Sequence, residues 1–219
     1  MTITIGHLYY DLLNLYGEIG NIKALEYHLE NQGIKVIIKN LSIDDEIDFN
    51  KLDLIYIGSG TENNLKLAKE HLDKYKEKIT KQIKNNKFFL ITGSATNLFT
   101  DYENLNLKLI DKDKRITKEV TLKSNINNTT IYAFINRNGL ITTKENNLFQ
   151  EEGLKINNFY LTNLIGPLLV KNPKFLEYFI KQLIRSKNKN FEIKKLNLDL
   201  ENKAYNNFII FKKNKKNKF

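Results

Sequence analysis

The sequence contains no cysteine among its 219 residues, and this absence removes several kinds of chemistry. Disulfide bonds, thiolate nucleophiles and thiolate metal sites are all excluded. Histidine is scarce as well: His7, His28 and His71 are the only three. No set of side chains shows a convincing metal-ligand spacing, so the sequence predicts neither a metal site nor a cofactor.

Long apolar runs are also missing. No stretch of about 18 apolar residues appears, so no membrane-spanning helix is predicted. The N-terminus, MTITIGHLYYDLL, has neither the basic segment nor the cleavage site of a signal peptide, and it is typical of a first strand. We therefore expect a cytoplasmic protein.

Acidic residues are outnumbered, with 25 Asp and Glu against 35 Lys and Arg, a formal charge of +10. Such a charge suits nucleic-acid binding, but no basic motif with interleaved aromatic residues is present, so nucleic acid is not expected as a partner. Much of the excess lies in the tail FKKNKKNKF, residues 211–219. We interpret this tail as a solvated or disordered end, with a basic, polyanion-binding protein as an alternative function.

Strand and helix patterns alternate through the first half of the chain. The predicted strands cover residues 2–7, 34–41, 52–60 and 88–91, and the predicted helices cover 21–33 and 62–85. In the first helix Asn21 is placed as the cap, Gly33 ends it, and apolar residues recur at three- and four-residue spacing. This alternation predicts an α/β fold with an open, mostly parallel, flavodoxin-like sheet flanked by helices.

From about residue 105 the pattern changes to short β-runs separated by Asn, Gly and charged turns. We expect these runs to extend the same sheet and to add antiparallel strands beside it. A helix is predicted at 172–187, with Asn172 as its cap and Pro173 in its first turn. The segment LDLENKAYNNFIIFKK that follows fits one more helix or strand. No Pro- or Gly-rich linker interrupts the chain, which favours one domain.

Three turns fall at the carboxyl ends of predicted strands, where open parallel sheets bind their ligands. The first is GHLYYDLLNLYGEIGN. The second contains Gly58, Ser59 and Gly60, whose backbone amides could face a ligand or an oxyanion. The third, in FFLITGSATNLF, contains Thr92, Gly93 and Ser94. We predict these six residues as ligand-binding residues.

The order and the amino-acid sequences of these turns resemble those of the class I glutamine amidotransferases. The segments IGHLYYDLLNLYGEIGNIKAL, DLIYIGSGTE and FFLITGSATNLF are similar to successive motifs of that family, and KRITKEVTLKSN, YAFINRNG and TNLIGPLLVKNP to its later blocks. LNLYGEIGNI and GPLLVKNP are specific to the branch of cobyric acid synthases and the glutaminase subunit of lipid II isoglutaminyl synthase. The resemblance covers residues 2 to 187, which implies an amidotransferase-like domain at 1–187 and a basic extension at 188–219.

The resemblance implies a definite chemistry for the cleft. In active members a cysteine at the elbow attacks the glutamine side-chain amide, backbone amides hold the oxyanion, and a histidine transfers the proton. The resemblance places Thr92 at the cysteine position, Thr96 at a glutamine position of the same motif, and Ile165 at the histidine position. It also places Arg115 at an arginine that helps to hold the substrate.

Both catalytic positions are therefore altered, because threonine is a weak nucleophile without a base and isoleucine cannot act as one. The resemblance implies a catalytically degenerate amidotransferase-like protein that acts with a Mur-ligase-like subunit on a peptidoglycan precursor, and whose cleft can bind glutamine or another small amide. An active glutaminase that uses other catalytic groups is the alternative.

The remaining polar residues have simpler interpretations. A serine nucleophile at Ser94 would need a base, and His7 alone is placed to approach the cleft, while His28 and His71 are expected to face solvent. We expect His7 to form a local hydrogen bond. Asp11, Glu18 and Asn21 fit capping or turn roles better than a metal or ligand site. Arg115 suits either a ligand carboxylate or an exposed strand edge equally well.

Overall fold

An open six-stranded sheet forms the centre of the computed structural model, which describes residues 1–143, 146–150 and 152–216. In chain order its strands are β1 (Thr2–Leu8), β2 (Lys35–Leu41), β3 (Leu54–Ile57), β4 (Phe88–Thr92), β7 (Leu154–Ile156) and β8 (Phe159–Thr162). Their spatial order is β2-β1-β3-β4-β8-β7, with every pair parallel except β7 and β8. The predicted α/β fold is confirmed, and the chain reverses direction across the sheet between β1 and β3, where such sheets bind ligands.

Helices cover both faces of this sheet. They are α1 (Ile19–Glu30), α2 (Glu62–Asp73), α3 (Lys76–Lys84), α4 (Leu168–Lys171), α5 (Pro173–Lys187) and α6 (Asp199–Lys216). Residues of β3 alternate between two apolar clusters: Leu54 and Tyr56 pack with α1 and α5, whereas Ile55 and Ile57 pack with α2 and α3. A strand buried on both faces needs apolar residues at every position, which β3 provides.

The predicted helix at 62–85 is in fact two helices, α2 and α3. Tyr75, between them, has non-helical backbone angles (φ −110°, ψ 6°). Its ring makes edge contacts with Phe49 and His71. The break lets the second helix follow the sheet surface, with Ile79 and Ile83 buried against it.

Of the later β-runs, only that of β7 and β8 extends the main sheet, and the added antiparallel strands form a second sheet. Strands β5 (Lys108–Lys123) and β6 (Thr130–Thr142) pair with each other as a separate antiparallel hairpin, and Phe134 of β6 also forms an antiparallel bridge to Ile165, after β8. In β6, Ile131, Ala133 and Ile135 are buried while the intervening residues are partly exposed. A hairpin with one apolar face covers a core but cannot replace a strand that is buried on both sides.

One predicted helix cap, Asn21, is wrong, and the other, Asn172, holds the N-cap position of α5 without a side-chain cap hydrogen bond. Asn21 lies inside α1, which begins earlier, at Ile19. Asn172 precedes α5, but its side chain bonds the backbone of Tyr132 and the carbonyl of Leu168 instead of the helix N-terminus. Both amides are buried and join separate segments of the chain.

The segment after α5 packs against the domain. Leu196 and Leu198 belong to the apolar cluster on the α1 and α5 side of the sheet, and Tyr205 of α6 donates a hydrogen bond to the carbonyl of Thr130. Residues 211–216 of the tail end α6, where Phe211 and Asn214 are exposed, so of the two interpretations the solvated end fits these residues. Residues 217–219, with Lys218, lie outside the described residues. The domain boundary after residue 187 stays a prediction.

Candidate active site

The turns after β3 and β4 meet at one edge of the sheet. Because Ile57 pairs with Ile91 in parallel register, the two strands end side by side. The hydroxyls of Ser59 and Ser94, from the two turns, lie 3.0 Å apart. The predicted convergence of these turns is therefore present.

The hydroxyls of the two serines accept hydrogen bonds from backbone amides of this site. The Gly60 N–H donates to the Ser94 hydroxyl at 3.0 Å, and the Ser94 N–H donates to the Ser59 hydroxyl at 3.2 Å. An oxyanion hole requires backbone donors that point at the reacting oxygen. Here these two donors point at serine side chains of the protein itself.

A cleft of about 130 Å³ opens beside this pair. It is smaller than the ~300–1,000 Å³ common for ligand pockets. Five of the predicted ligand-binding residues line it: Ser59, Gly60, Gly93, Ser94 and Arg115. Gly58 and Thr92, the other two, are buried behind the cleft wall.

The sharp turn of the elbow falls on Gly93, which has a left-handed backbone (φ +62°). A Cβ at this position would lie 2.5 Å from Ile165 Cγ2 and 2.7 Å from Ser59 Cβ. A side chain at residue 93 would therefore project between the predicted histidine position and the glycine turn. In a nucleophile elbow the strained residue is the one that carries the nucleophile, and here that residue has no side chain.

Thr92, one residue earlier, has ordinary extended backbone angles (φ −125°, ψ 149°) and no exposed surface. Its hydroxyl donates to the carboxylate of Glu18 and lies 3.0 Å from the Tyr56 hydroxyl. Tyr56 also donates to Glu18, at 2.7 Å. The hydroxyl that would have to act as nucleophile is thus held inside a closed polar cluster.

This buried cluster joins the two segments that are specific to the predicted branch. Glu18 accepts a hydrogen bond from the Gly166 N–H at 3.2 Å. Asn21 donates to the Tyr56 hydroxyl at 2.9 Å and accepts from the Leu169 N–H at 2.8 Å. LNLYGEIGNI and GPLLVKNP therefore meet beneath the elbow.

Burial shifts the protonation of both acidic groups in the cluster. Loss of water raises the pKa of the Glu18 carboxyl, although hydrogen bonds from Thr92 and Tyr56 oppose the shift. Burial, and then the charge of Glu18, raise the pKa of the Tyr56 hydroxyl well above its usual value. Glu18 and Asn21 have the central place in this cluster. Glu18 occupies the N-cap position of α1, as expected, but its side chain bonds within the cluster, and the expected capping role is wrong for Asn21, which lies inside α1. The branch-specific sequence LNLYGEIGN is the signal that could have indicated a role for Glu18 and Asn21.

Arginines supply positive charge at the cleft. Arg115 is half exposed. Its Nε donates a hydrogen bond to Asn136 Oδ1 at 2.6 Å, and its Nη1 lies 3.6 Å from Glu62 Oε1. Arg137 lines the same cleft, and two of its buried guanidinium nitrogens have no hydrogen-bond partner among the described residues. Burial lowers the Arg137 pKa, and the nearby Glu152 carboxylate opposes that shift. The cleft can therefore offer donors to a carboxylate or an amide oxygen.

The histidines differ from their predictions. His28 and His71 are buried and do not face solvent: His28 Nε2 lies 2.8 Å from Glu201, and His71 Nδ1 lies 3.1 Å from the Tyr9 hydroxyl. His7 is also fully buried and does not line the cleft, and its ring nitrogens have no hydrogen-bond partner within the described ranges. Without a nearby histidine, Ser94 has no base of this kind.

Asp11 accepts a hydrogen bond from Ser42 at 2.7 Å, a local structural role. Across the described residues, no group of three or more His, Asp or Glu side chains could hold a metal ion. None of the helices in that part of the chain is long and apolar enough to cross a membrane.

Solved structures share this fold. PurLQS from Thermotoga maritima matches with a TM-score of 0.57 at 15% identity, over 88% of this chain and all of that one. A glutamine amidotransferase from the same organism matches with a TM-score of 0.53 at 9% identity, over 85% and 86% of the two chains. The fold is that of the class I glutamine amidotransferases, as predicted. No protein-family model matches the chain.

Two relatives have higher sequence identity to this chain than those solved structures, and they indicate a branch within the class. The GatD subunit of lipid II isoglutaminyl synthase (glutamine-hydrolyzing) from Staphylococcus aureus is 28% identical over 226 residues, which covers 92% of this chain and 93% of the relative. The GatD subunit from Streptococcus pneumoniae is 32% identical over 100 residues, or 46% and 38% of the two chains. Both relatives support the resemblance of this chain to the GatD-like branch of the class I glutamine amidotransferases, and the resemblance found in the sequence is confirmed.

Proposed function

We propose that this protein is a GatD-like subunit that does not hydrolyse glutamine and that supports an ATP-dependent, Mur-ligase-like subunit in amidating a peptidoglycan precursor, with free ammonia as the nitrogen source of the new amide. The observation that carries the proposal is the state of the elbow. The hydroxyl of Thr92 is buried and bonded to Glu18, and the left-handed residue that follows it is Gly93. A substrate amide in the cleft meets no nucleophile at either position.

Two further features support the loss of hydrolysis. Ile165, at the predicted base position, is buried and apolar, so it can neither accept nor return a proton. The amides of Gly60 and Ser94 already donate to serine hydroxyls of the protein. Removing a single oxyanion donor costs about 10²–10³ in kcat in known hydrolases, so the combined effect is large.

The cleft itself remains open to a small polar ligand. Arg115, Arg137 and Asn163 line it together with the serine pair. We propose that glutamine or another small amide binds there without being cleaved. Binding would then report occupancy to the ligase subunit instead of supplying ammonia.

The test is an ammonia-release assay with glutamine, on the purified protein alone and mixed with the ligase subunit from the same organism. The Staphylococcus aureus GatD protein serves as the active control. We expect no release above background in either mixture, together with stable binding to the ligase subunit. Steady release, or failure to bind a ligase, would contradict the proposal.

Two reactivation variants sharpen the test. Thr92→Cys/Ile165→His restores the residues at the positions that the resemblance assigns. Gly93→Cys/Ile165→His places the thiol at the left-handed residue, where a side chain would face Ile165 and Ser59. We expect neither to reach the activity of the control, because the serine pair still occupies the oxyanion donors. Activity in the second variant alone would place the nucleophile position at residue 93.

A second candidate function is an active glutaminase in which Thr92 is the nucleophile and Glu18 its base. The direct hydrogen bond between the two side chains favours it. Hydrolysis would require the first loop to open, because Thr92 has no exposed surface. Ammonia release that Thr92→Ala abolishes, and that Thr100→Ala leaves unchanged, would establish this function.

A further inference from the structure

We propose that four exposed apolar side chains beside the elbow, Leu15, Tyr16, Ile19 and Val170, form the surface that binds the ligase subunit. We call them the apolar rim. The inference rests on the proposed function, since it names the place where the partner of that function binds. The expected partner surface is apolar, with acidic side chains at its border.

The exposure of these residues is the first observation. Each of these residues exposes between 37% and 43% of its surface to solvent. All four belong to the two segments that meet beneath the elbow. Large exposed apolar side chains that are grouped near a functional site mark an interaction surface more often than single scattered ones do.

The backbone holds Tyr16 outward at some energetic cost. Tyr16 has a left-handed conformation (φ +61°) that is unfavourable for a residue with a bulky side chain, and Gly17 after it is also left-handed. The Leu15 N–H donates to the Ser59 carbonyl at 2.9 Å, and the Tyr16 hydroxyl accepts from Asn136 at 2.7 Å. Strained residues persist where the surroundings fix them, and they are concentrated at functional sites.

A close backbone approach brings Val170 to the same place. A Cβ on Gly20 would lie 2.8 Å from Pro167 Cγ and 3.5 Å from Val170 Cγ2, so α1 and the turn before α4 pack tightly there. The bond between Asn21 and the Leu169 N–H fixes this contact. Ile19 and Val170 therefore lie on neighbouring segments, although they are far apart in the sequence.

Two observations favour a ligase subunit as the occupant. The relative from Staphylococcus aureus is named as a subunit, and this chain covers 93% of it, so the acceptor chemistry in its name would belong to another chain. The rim also carries positive charge. Lys171, next to Val170, is exposed and forms no salt bridge with any residue in the described ranges. An acidic border on the partner would complement it.

The experiment measures binding of the full chain to the ligase subunit from the same organism by biolayer interferometry. The test variant is Leu15→Glu/Val170→Glu. The matched control is Leu67→Glu/Leu200→Glu, which makes the same chemical change at two exposed leucines outside the rim. We expect the rim variant to bind at least about tenfold more weakly than wild type and the control to match wild type.

A second pair of variants guards against misfolding. Tyr16→Gly removes the ring and relieves the left-handed backbone. The control, Asn106→Gly, relieves the left-handed backbone of an exposed residue outside the rim (φ +51°). We expect weaker binding for Tyr16→Gly alone, with thermal stability equal to or above that of wild type.

The outcomes separate the two proposals. If wild type binds the ligase and the rim variants bind equally well, the surface is wrong and the proposed function stands. If wild type binds no ligase, the proposed function fails and the rim assignment fails with it. A dimer of this chain that light scattering detects and that Leu15→Glu/Val170→Glu dissolves would assign the rim to a second copy, which also overturns the inference.

Discussion

The hydroxyls of Tyr56 and Thr92 lie 3.0 Å apart at the ends of adjacent strands, and neither residue has any exposed surface. Both hydroxyls donate to the same carboxylate, that of Glu18. Thr92, at the end of a central strand and at the predicted nucleophile position, is thus part of a buried polar cluster. The first predictions test that cluster.

Replacing Thr92 by valine keeps the shape of the side chain and removes its hydroxyl. Because the buried Glu18 carboxylate would lose a donor, we expect the free energy of unfolding to fall by about 1–3 kcal/mol. Urea denaturation measures this change. Thr100→Val, at a partly exposed hydroxyl, is the control and should change stability by less than about 0.5 kcal/mol. Equal stability of Thr92→Val and wild type would show that the Glu18 bond contributes nothing.

Glu18→Gln tests the protonation of the cluster. Burial raises the folded-state pKa of Glu18 above its ordinary value of 4.5, so the folded protein holds a proton that the unfolded chain releases. Stability from this group is therefore present at low pH and is lost as the pH rises through the folded-state pKa. The difference in unfolding free energy between wild type and Glu18→Gln should decrease with rising pH. A difference that is constant with pH would contradict this, and exposed Glu103→Gln is the control.

The contribution of His7 to the free energy of unfolding should have the opposite pH dependence to that of Glu18, and His7→Phe tests it. Burial lowers the His7 pKa from 6.5 to about 4, so between these values the unfolded chain binds a proton that the folded protein does not. Wild type should therefore lose stability as the pH falls from 6.5 to 4, by at most about 3 kcal/mol. The phenylalanine variant lacks this loss, and it breaks no hydrogen bond, because the His7 ring nitrogens have no partner among the described residues. Parallel stability profiles from pH 4 to 7 would show that His7 does not titrate in this way.

Gly93→Ala tests how closely the elbow is packed. The new methyl group would lie 2.5 Å from Ile165 and 2.7 Å from Ser59, on a left-handed backbone. We expect a loss of more than about 2 kcal/mol in urea denaturation. Gly33→Ala, which is equally left-handed but has open space around it, should lose only about 1–2 kcal/mol.

A double variant identifies the neighbour responsible. Adding Ile165→Ala should relieve part of the Gly93→Ala penalty, so the two changes should be non-additive in a double-mutant cycle. Strict additivity would mean that Ile165 does not contact residue 93.

Much of the fold follows from local sequence patterns. The alternation of β3, a helical segment at 62–85 and β4 is visible in the sequence, because apolar runs and helical spacing are local properties. The break between α2 and α3 is not. The pairing of β5 with β6 in a second sheet is not visible in the sequence, since pairing partners depend on long-range contacts that a period-2 pattern does not specify. The burial of His28 and His71 was missed for a similar reason: their partners, Glu201 and Tyr9, are distant in the sequence.

The sequence by itself determined that no thiol chemistry is possible and that the chain has the turns and blocks of a glutamine amidotransferase, because composition and motif order are properties of the chain alone. Only the tertiary structure decided what the elbow contains. It brings Glu18, Tyr56 and Thr92 together from three separate segments and turns Gly93 toward Ile165. These contacts depend on strand register and on the packing of α1 against α4, which no local pattern records.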